Sequence, residues 1–177
     1  PELLRCADDA SKKVRRYVIY ALGPCHSYER EPALSDSAYK IVQIALKDKT
    51  PEIRIAALQS IREFGYRGVV EDIIRLSRDP LPKVRYVAVQ ALGQVAIGRT
   101  RRSSGPVDAQ ERHNIIQALM LSLFEPNQSI RTKAVRSLEM IGAPEAASQL
   151  EKLRETGSEE DRREAGRVLG NLREGNG

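Results

Sequence analysis

One pattern recurs five times along the chain, and it restricts the fold more than any other feature. The copies are Asp9–Gly23 (DASKKVRRYVIYALG), Asp48–Arg62 (DKTPEIRIAALQSIR), Asp79–Gly93 (DPLPKVRYVAVQALG), Glu125–Glu139 (EPNQSIRTKAVRSLE) and Thr156–Gly170 (TGSEEDRREAGRVLG). Each has an anchor followed at once by arginine: Val14, Ile53, Val84, Ile130 and, in the fifth copy, Asp161. Four positions on stand Val18, Ala57, Ala88, Ala134 and Ala165; eight positions on stand Leu22, Ile61, Leu92, Leu138 and Leu169. Offsets of zero, four and eight make one stripe of an α-helix, and alanine in that stripe lets a second helix come close.

A second helical pattern precedes four of the copies, at Ser37–Lys47, Gly68–Arg78, Arg112–Phe124 and Ala146–Glu155, each apolar on one side. Pro51, Pro80, Pro82 and Pro126 stand where proline suits a helix start, and Gly23, Gly93 and Gly170 where glycine suits an end. The unit is a helical hairpin that must stack on its neighbours to bury both faces. Anchor spacings of 39, 31, 46 and 31 residues make 31 the bare unit, with insertions at 24–36 and 98–111. The second insertion gathers Gly, Ser, Pro and Arg, and is expected to be mobile and cut early by trypsin.

The D-x4-[VI]-R-x2-A-x2-A-L-G pattern resembles HEAT-like repeats, specifically the short kind first associated with phycobilin lyases. The resemblance implies an all-α, right-handed α-solenoid of about five helical hairpins. These form one repeat domain over 1–177, with repeats near 1–23, 37–65, 68–97, 112–142 and 145–173. Pro1–Ala7 is short for a first helix, so the chain is expected to be the C-terminal part of a longer protein, with Asn171–Gly177 as its tail.

Composition excludes several classes. Of 177 residues 41% are hydrophobic, yet only eight are aromatic and none is Trp, so the core rests on Leu, Ile, Val and Ala. No stretch approaches the roughly 20 apolar residues of a membrane span. Two cysteines, Cys6 and Cys25, make no disulfide framework, which points to a reducing, cytoplasmic setting.

Three groups of polar residues are candidates for chemistry. The first pairs an acid with an arginine six residues on: Asp9/Arg15, Asp48/Arg54, Asp79/Arg85 and Glu125/Arg131, while the fifth copy keeps Arg162 but has Thr156. The resemblance implies a structural ladder, each turn acid meeting an arginine of its own or an adjacent repeat, and arginine's planar fork suits a turn's carboxylate and carbonyls. The second group is Arg99, Arg101 and Arg102, candidate phosphate contacts in the long insertion. Residues 37–114 carry 14 Lys/Arg against 8 Asp/Glu, so the net charge of +5 is concentrated there. The third group lies two and six residues after the anchors, where the resemblance puts the second helices on the inner side of the solenoid. Arg16, Tyr20, Ile55, Gln59, Tyr86, Gln90 and Arg136 are expected there as a solvent-side stripe of interface-forming types.

No catalytic residue, metal site or cofactor is expected. His26 is followed by Ser27 and His113 by Asn114, so the His–Glu pairs of HEAT-like metal hydroxylases are missing, and Cys25–His26 has no third group to orient it. The sequence therefore favours a non-catalytic scaffold or adaptor that binds another protein on the inner face of the solenoid. A phycobilin-lyase-like enzyme or chaperone subunit is the alternative, and a nucleic-acid-binding module using the basic middle is the third reading.

Overall fold

A computed structural model of the chain describes residues 5–22, 32–64, 68–98 and 107–174. These residues form nine α-helices and no strand: α1 (Lys12–Leu22), α2 (Pro32–Leu46), α3 (Pro51–Phe64), α4 (Val70–Leu76), α5 (Pro82–Ala96), α6 (Ala109–Ser122), α7 (Gln128–Ile141), α8 (Ala147–Thr156) and α9 (Glu159–Glu174). Pro51 and Pro82 open α3 and α5, where a fixed φ suits the first turn and a missing amide hydrogen costs nothing. Asp108 and Asn127 cap α6 and α7 by accepting the amides of Glu111 (2.7 Å) and Ile130 (3.4 Å). Gly142 ends α7 in the left-handed region at φ 63°.

Helices α2/α3, α4/α5, α6/α7 and α8/α9 pair as hairpins. The second helices α1, α3, α5, α7 and α9 pack side by side in one layer, and α2, α4 and α6 follow one another in the other. The architecture is an α-solenoid, in which each hairpin completes the core of its neighbour. Ile53, Val84 and Ile130 are buried, as are Ala57, Ala88, Ala134 and Ala165 four residues on and Ile61, Leu92, Leu138 and Leu169 eight residues on. Val14, at the end of the layer, is half-buried.

Two expectations need correction. Gly93 and Gly170 do not end helices; they lie inside α5 and α9. At Gly93 the reason is a close approach, since a Cβ there would stand 2.6 Å from Ser137 Oγ and 2.7 Å from Ser137 Cβ of α7. The boundaries of the two stretches read as insertions, 24–36 and 98–111, also shift. Helix α2 begins at Pro32 and α6 at Ala109, so both loops give residues to the helix that follows. Arg99, Arg101, Arg102, Cys25 and His26, with most of the expected trypsin-sensitive segment, lie outside the described residues.

The acid–arginine series forms a chain of rungs between repeats. Arg15 donates to the Asp48 carboxylate of the following turn (2.5 and 3.2 Å), and to the carbonyls of Asp9 (2.7 Å) and Ala10 (3.2 Å) in its own. Arg54 repeats this on Asp79 (2.8 and 3.0 Å) and the carbonyls of Asp48 and Lys49. Arg85 does so on Glu125 (3.0 Å) and the carbonyls of Asp79 and Pro80. The acid six residues before each arginine thus supplies its backbone, and the acid of the next repeat supplies its carboxylate.

The fourth and last rung corrects the alignment. Arg131 donates to Asp161 (2.7 and 3.1 Å), which the sequence pattern places at the anchor position, and not to Thr156. Asp161 also accepts the amide and hydroxyl of Ser158 (2.9 and 2.7 Å) and is 2% exposed. The last turn is only Gly157–Ser158, so a carboxylate on the third residue of α9 reaches back to where the longer turns carry theirs. Arg162, with no following repeat among the described residues, donates only to the Gly157 carbonyl (3.1 Å).

Burial pushes the Asp48 and Asp161 carboxyls up. The hydrogen bonds from Arg15 and Thr50 to one, and from Arg131 and Ser158 to the other, outweigh it and hold both below the ordinary aspartate value of 3.8. A carboxyl depressed in the folded state adds stability above its unfolded pKa and loses it as pH falls through the folded one. Stability should therefore drop as pH falls below about 4, and Asp161→Asn should flatten that drop in urea titrations at pH 2–7.

Two further measurements test the packing. Gly93→Ala should lower stability by about 1–3 kcal/mol through overpacking against Ser137. Gly170→Ala, which meets nothing within 4 Å, should raise it by up to about 1 kcal/mol through helix propensity. Asp79→Ala strands Arg54 among buried groups and should cost about 3 kcal/mol, whereas Arg162→Ala, which loses one carbonyl bond, should cost under about 1 kcal/mol. Equal losses for Asp79→Ala and Arg162→Ala in thermal melts would contradict the rung geometry.

Candidate partner-binding face

The outer surface of the second-helix layer, turned away from the first helices and so the side expected to line the inner face of the solenoid, carries the residues two and six positions after the anchors, because its core side is occupied by the stripe at zero, four and eight. Arg16 and Gln59 are exposed there, and Tyr20 is 53% exposed. Tyr17, also on α1, is 66% exposed. Ile55, Tyr86 and Gln90 are half-buried rather than solvent-side, which corrects the expected stripe at its centre. Ile55 and Tyr86 pack against the hydrophobic core, since leaning an apolar side chain onto it removes area from water. Lys133 of α7 covers the Tyr86 ring, its ammonium 5.4 Å from the ring centre.

Towards the C-terminal end, ion pairs knit α7 to α9. Arg136 donates to Glu164 (2.8 Å), and Arg167 to Glu139 (2.5 and 2.9 Å) and Glu164 (2.8 Å). Arg167 holds the Glu139 carboxyl below the usual range, and Arg136 does the same for Glu164. The same contacts push the Arg136 and Arg167 guanidiniums up. Nearer the middle, Arg62 of α3 donates to Gln94 of α5 (2.7 Å), and burial pushes its pKa down.

Between these regions runs a groove of about 300 Å³. Tyr86 of α5 lines it with Gln128, Ser129, Thr132, Lys133 and Arg136 of α7, and Glu160 of α9 closes one end. Gln128 is engaged by Glu160 (2.6 Å). Ser129 and Lys133 escaped the sequence reading, whereas Thr132 stands two residues after its anchor Ile130, at a position the stripe selects. Tyr86 belongs to the third copy and Lys133 to the fourth, one position out of phase, and only the lateral offset of adjacent helices brings them together.

Charge divides between the layers. Helices α1, α3, α5 and α7 hold eleven Lys/Arg against three Glu, while α2, α4, α6 and α8 hold five against six Asp/Glu. The excess stops at α9, with four Arg against five Asp/Glu. Among the described residues no three His, Cys, Asp or Glu side chains come together as a metal site, and no helix is long and apolar enough to cross a membrane.

Comparison with known proteins places this geometry. Residues 38–111 match the family model for HEAT repeats, and residues 130–156 match the PBS lyase HEAT-like repeat; together they span more than half of the chain. No curated protein matches. Among solved structures, a designed armadillo repeat protein in complex with the peptide (KR)4 is similar, at 20% identity and a TM-score of 0.67 over 96% of this chain and 80% of that one. An engineered protein aligns at 21% identity and a TM-score of 0.69, over 98% of this chain and 78% of its own. At such identities the likeness is one of fold. With repeat models lying on stacked hairpins in both halves, the chain belongs to the HEAT-like repeat proteins.

Proposed function

We propose that the chain is a non-catalytic protein-binding scaffold whose partner lies across the outer surface of the second-helix layer. The observation that carries this reading is the make-up of that surface. Tyr17 and Tyr20 stand more than half exposed beside Arg16, with Gln59 exposed further along and a groove at Tyr86. Tyrosine and arginine give large contact areas and polar tips, which is why they anchor protein interfaces. Fold supports the reading by analogy, since the similar designed armadillo repeat protein was solved with a peptide.

A photo-crosslinking phenylalanine derivative tests it directly. Placed at Gln59, on the second-helix surface, it should capture a protein partner from a native extract. Placed at Gln117, exposed on α6 in the other layer, it should not. Both sites are exposed, so stability should change by less than about 0.5 kcal/mol. Capture from Gln117 alone, or from neither position, would refute the reading.

A further inference from the structure

Four of the eleven basic residues on α1, α3, α5 and α7 are ladder arginines, each bonded to a turn acid or to Asp161. Setting them aside leaves seven Lys/Arg against three Glu. Of those three, Glu139 is already held by Arg167 and by Asn171 (2.7 Å). The layer therefore has a surplus of positive charge that its own acids do not meet. Lys12, Lys13, Arg16, Lys83 and Lys133 form no ion pair among the described residues.

The surplus coincides with unclaimed hydrogen-bond donors in the groove. Lys133 meets only the face of the Tyr86 ring. The hydroxyls of Tyr86, Ser129 and Thr132 have no hydrogen-bond partner among the described residues. Three hydroxyls and an ammonium thus line one groove of about 300 Å³, with the Arg136 guanidinium at its side. Donors gathered in this way, with cations beside them, match a carboxylate, which accepts through two oxygens and four lone pairs.

We infer that this groove seats the carboxylate side chains of an acidic, extended segment of a partner protein, a step that rests on the protein-binding reading above. Charge complementarity names the occupant. The central helix α5 carries Lys83 and Arg85 and no acid, so an acidic segment crossing from α1 towards α7 meets no like charge on it. Lys133 takes a carboxylate at the groove, Arg136 beside it being already held by Glu164 (2.8 Å), and Tyr86 lines the groove with its ring under Lys133. Glu160 and the acids of α9 set the limit of the footprint, because a carboxylate placed beyond Arg136 meets like charge. The same acids disfavour a nucleic acid, whose phosphates continue without a break along the strand.

The test uses the whole chain and a fluorescein-labelled (Asp-Glu)4 peptide in anisotropy titrations at low salt. The peptide should bind. Lys133→Glu should weaken it by about tenfold or more, Lys133→Gln by a smaller factor, since a close charge pair is both lost and reversed. Lys40→Glu, an exposed change on α2, should alter binding less than about twofold, and far-ultraviolet melts should show that all three variants fold. Equal losses for Lys133→Glu and Lys40→Glu would reduce the effect to net charge and overturn the site. Tighter binding of a (Lys-Arg)4 peptide would overturn the acidic class, and tighter binding of a 12-nucleotide single strand would transfer the surface to nucleic acid. Failure of (Asp-Glu)4 while the Gln59 crosslink persists would sink this inference alone. Loss of the Gln59 crosslink would remove the protein-binding reading beneath it.

Discussion

Every interface between repeats rests on an arginine that is held from both sides. Its own turn gives it two backbone carbonyls, and the next turn gives it a carboxylate, so one planar side chain joins two turns and fixes their separation. An aliphatic stack alone does not do this. Leu, Ile, Val and Ala surfaces accept several sliding registers at similar energy, because the hydrophobic effect has no direction. A guanidinium fork accepts one arrangement, and breaking it leaves a charged group among buried neighbours. The core supplies the driving force, and the rungs choose the stacking geometry.

That division explains why much of the fold was legible in the sequence. The anchors, the alanines four residues on and the aliphatics eight residues on repeat because each copy faces the same neighbours, and all but Val14 and Asp161 lie buried as aliphatic side chains where their side chains are described. The direction of the rungs was not legible. An acid and an arginine six residues apart look like one pair, yet the carboxylate belongs to the arginine of the previous repeat. Asp161 shows the limit most clearly: by pattern it occupies an apolar anchor position, and by geometry it is the acid of the last rung, displaced because its turn is short.

The candidate face was legible only in outline. Counting two and six residues past the anchor selects Tyr20, Gln59 and Arg16, which are exposed. It also selects Tyr86 and Ile55, which lean onto the core. Periodicity says which way a side chain leaves its helix, not whether the neighbouring helix covers it. The groove depends on that second fact. Gly93 against Ser137 brings α5 and α7 close, and at that distance a lysine of one helix reaches over a tyrosine of the other.

Ladder and face meet at two consecutive residues. Arg85 turns towards the rung on Glu125, while Tyr86 turns to the groove. Glu125 lies four residues before Ser129 and seven before Thr132, so the turn that Arg85 holds is the turn from which the α7 side of the groove begins. The spacing of the two walls is therefore set by an ion pair that lies outside the groove. A scaffold built in this way needs no enclosed pocket. On the proposed protein-binding reading, its binding surface is the visible edge of an internal register, and a partner that reads several repeats at once reads how evenly the rungs have spaced them.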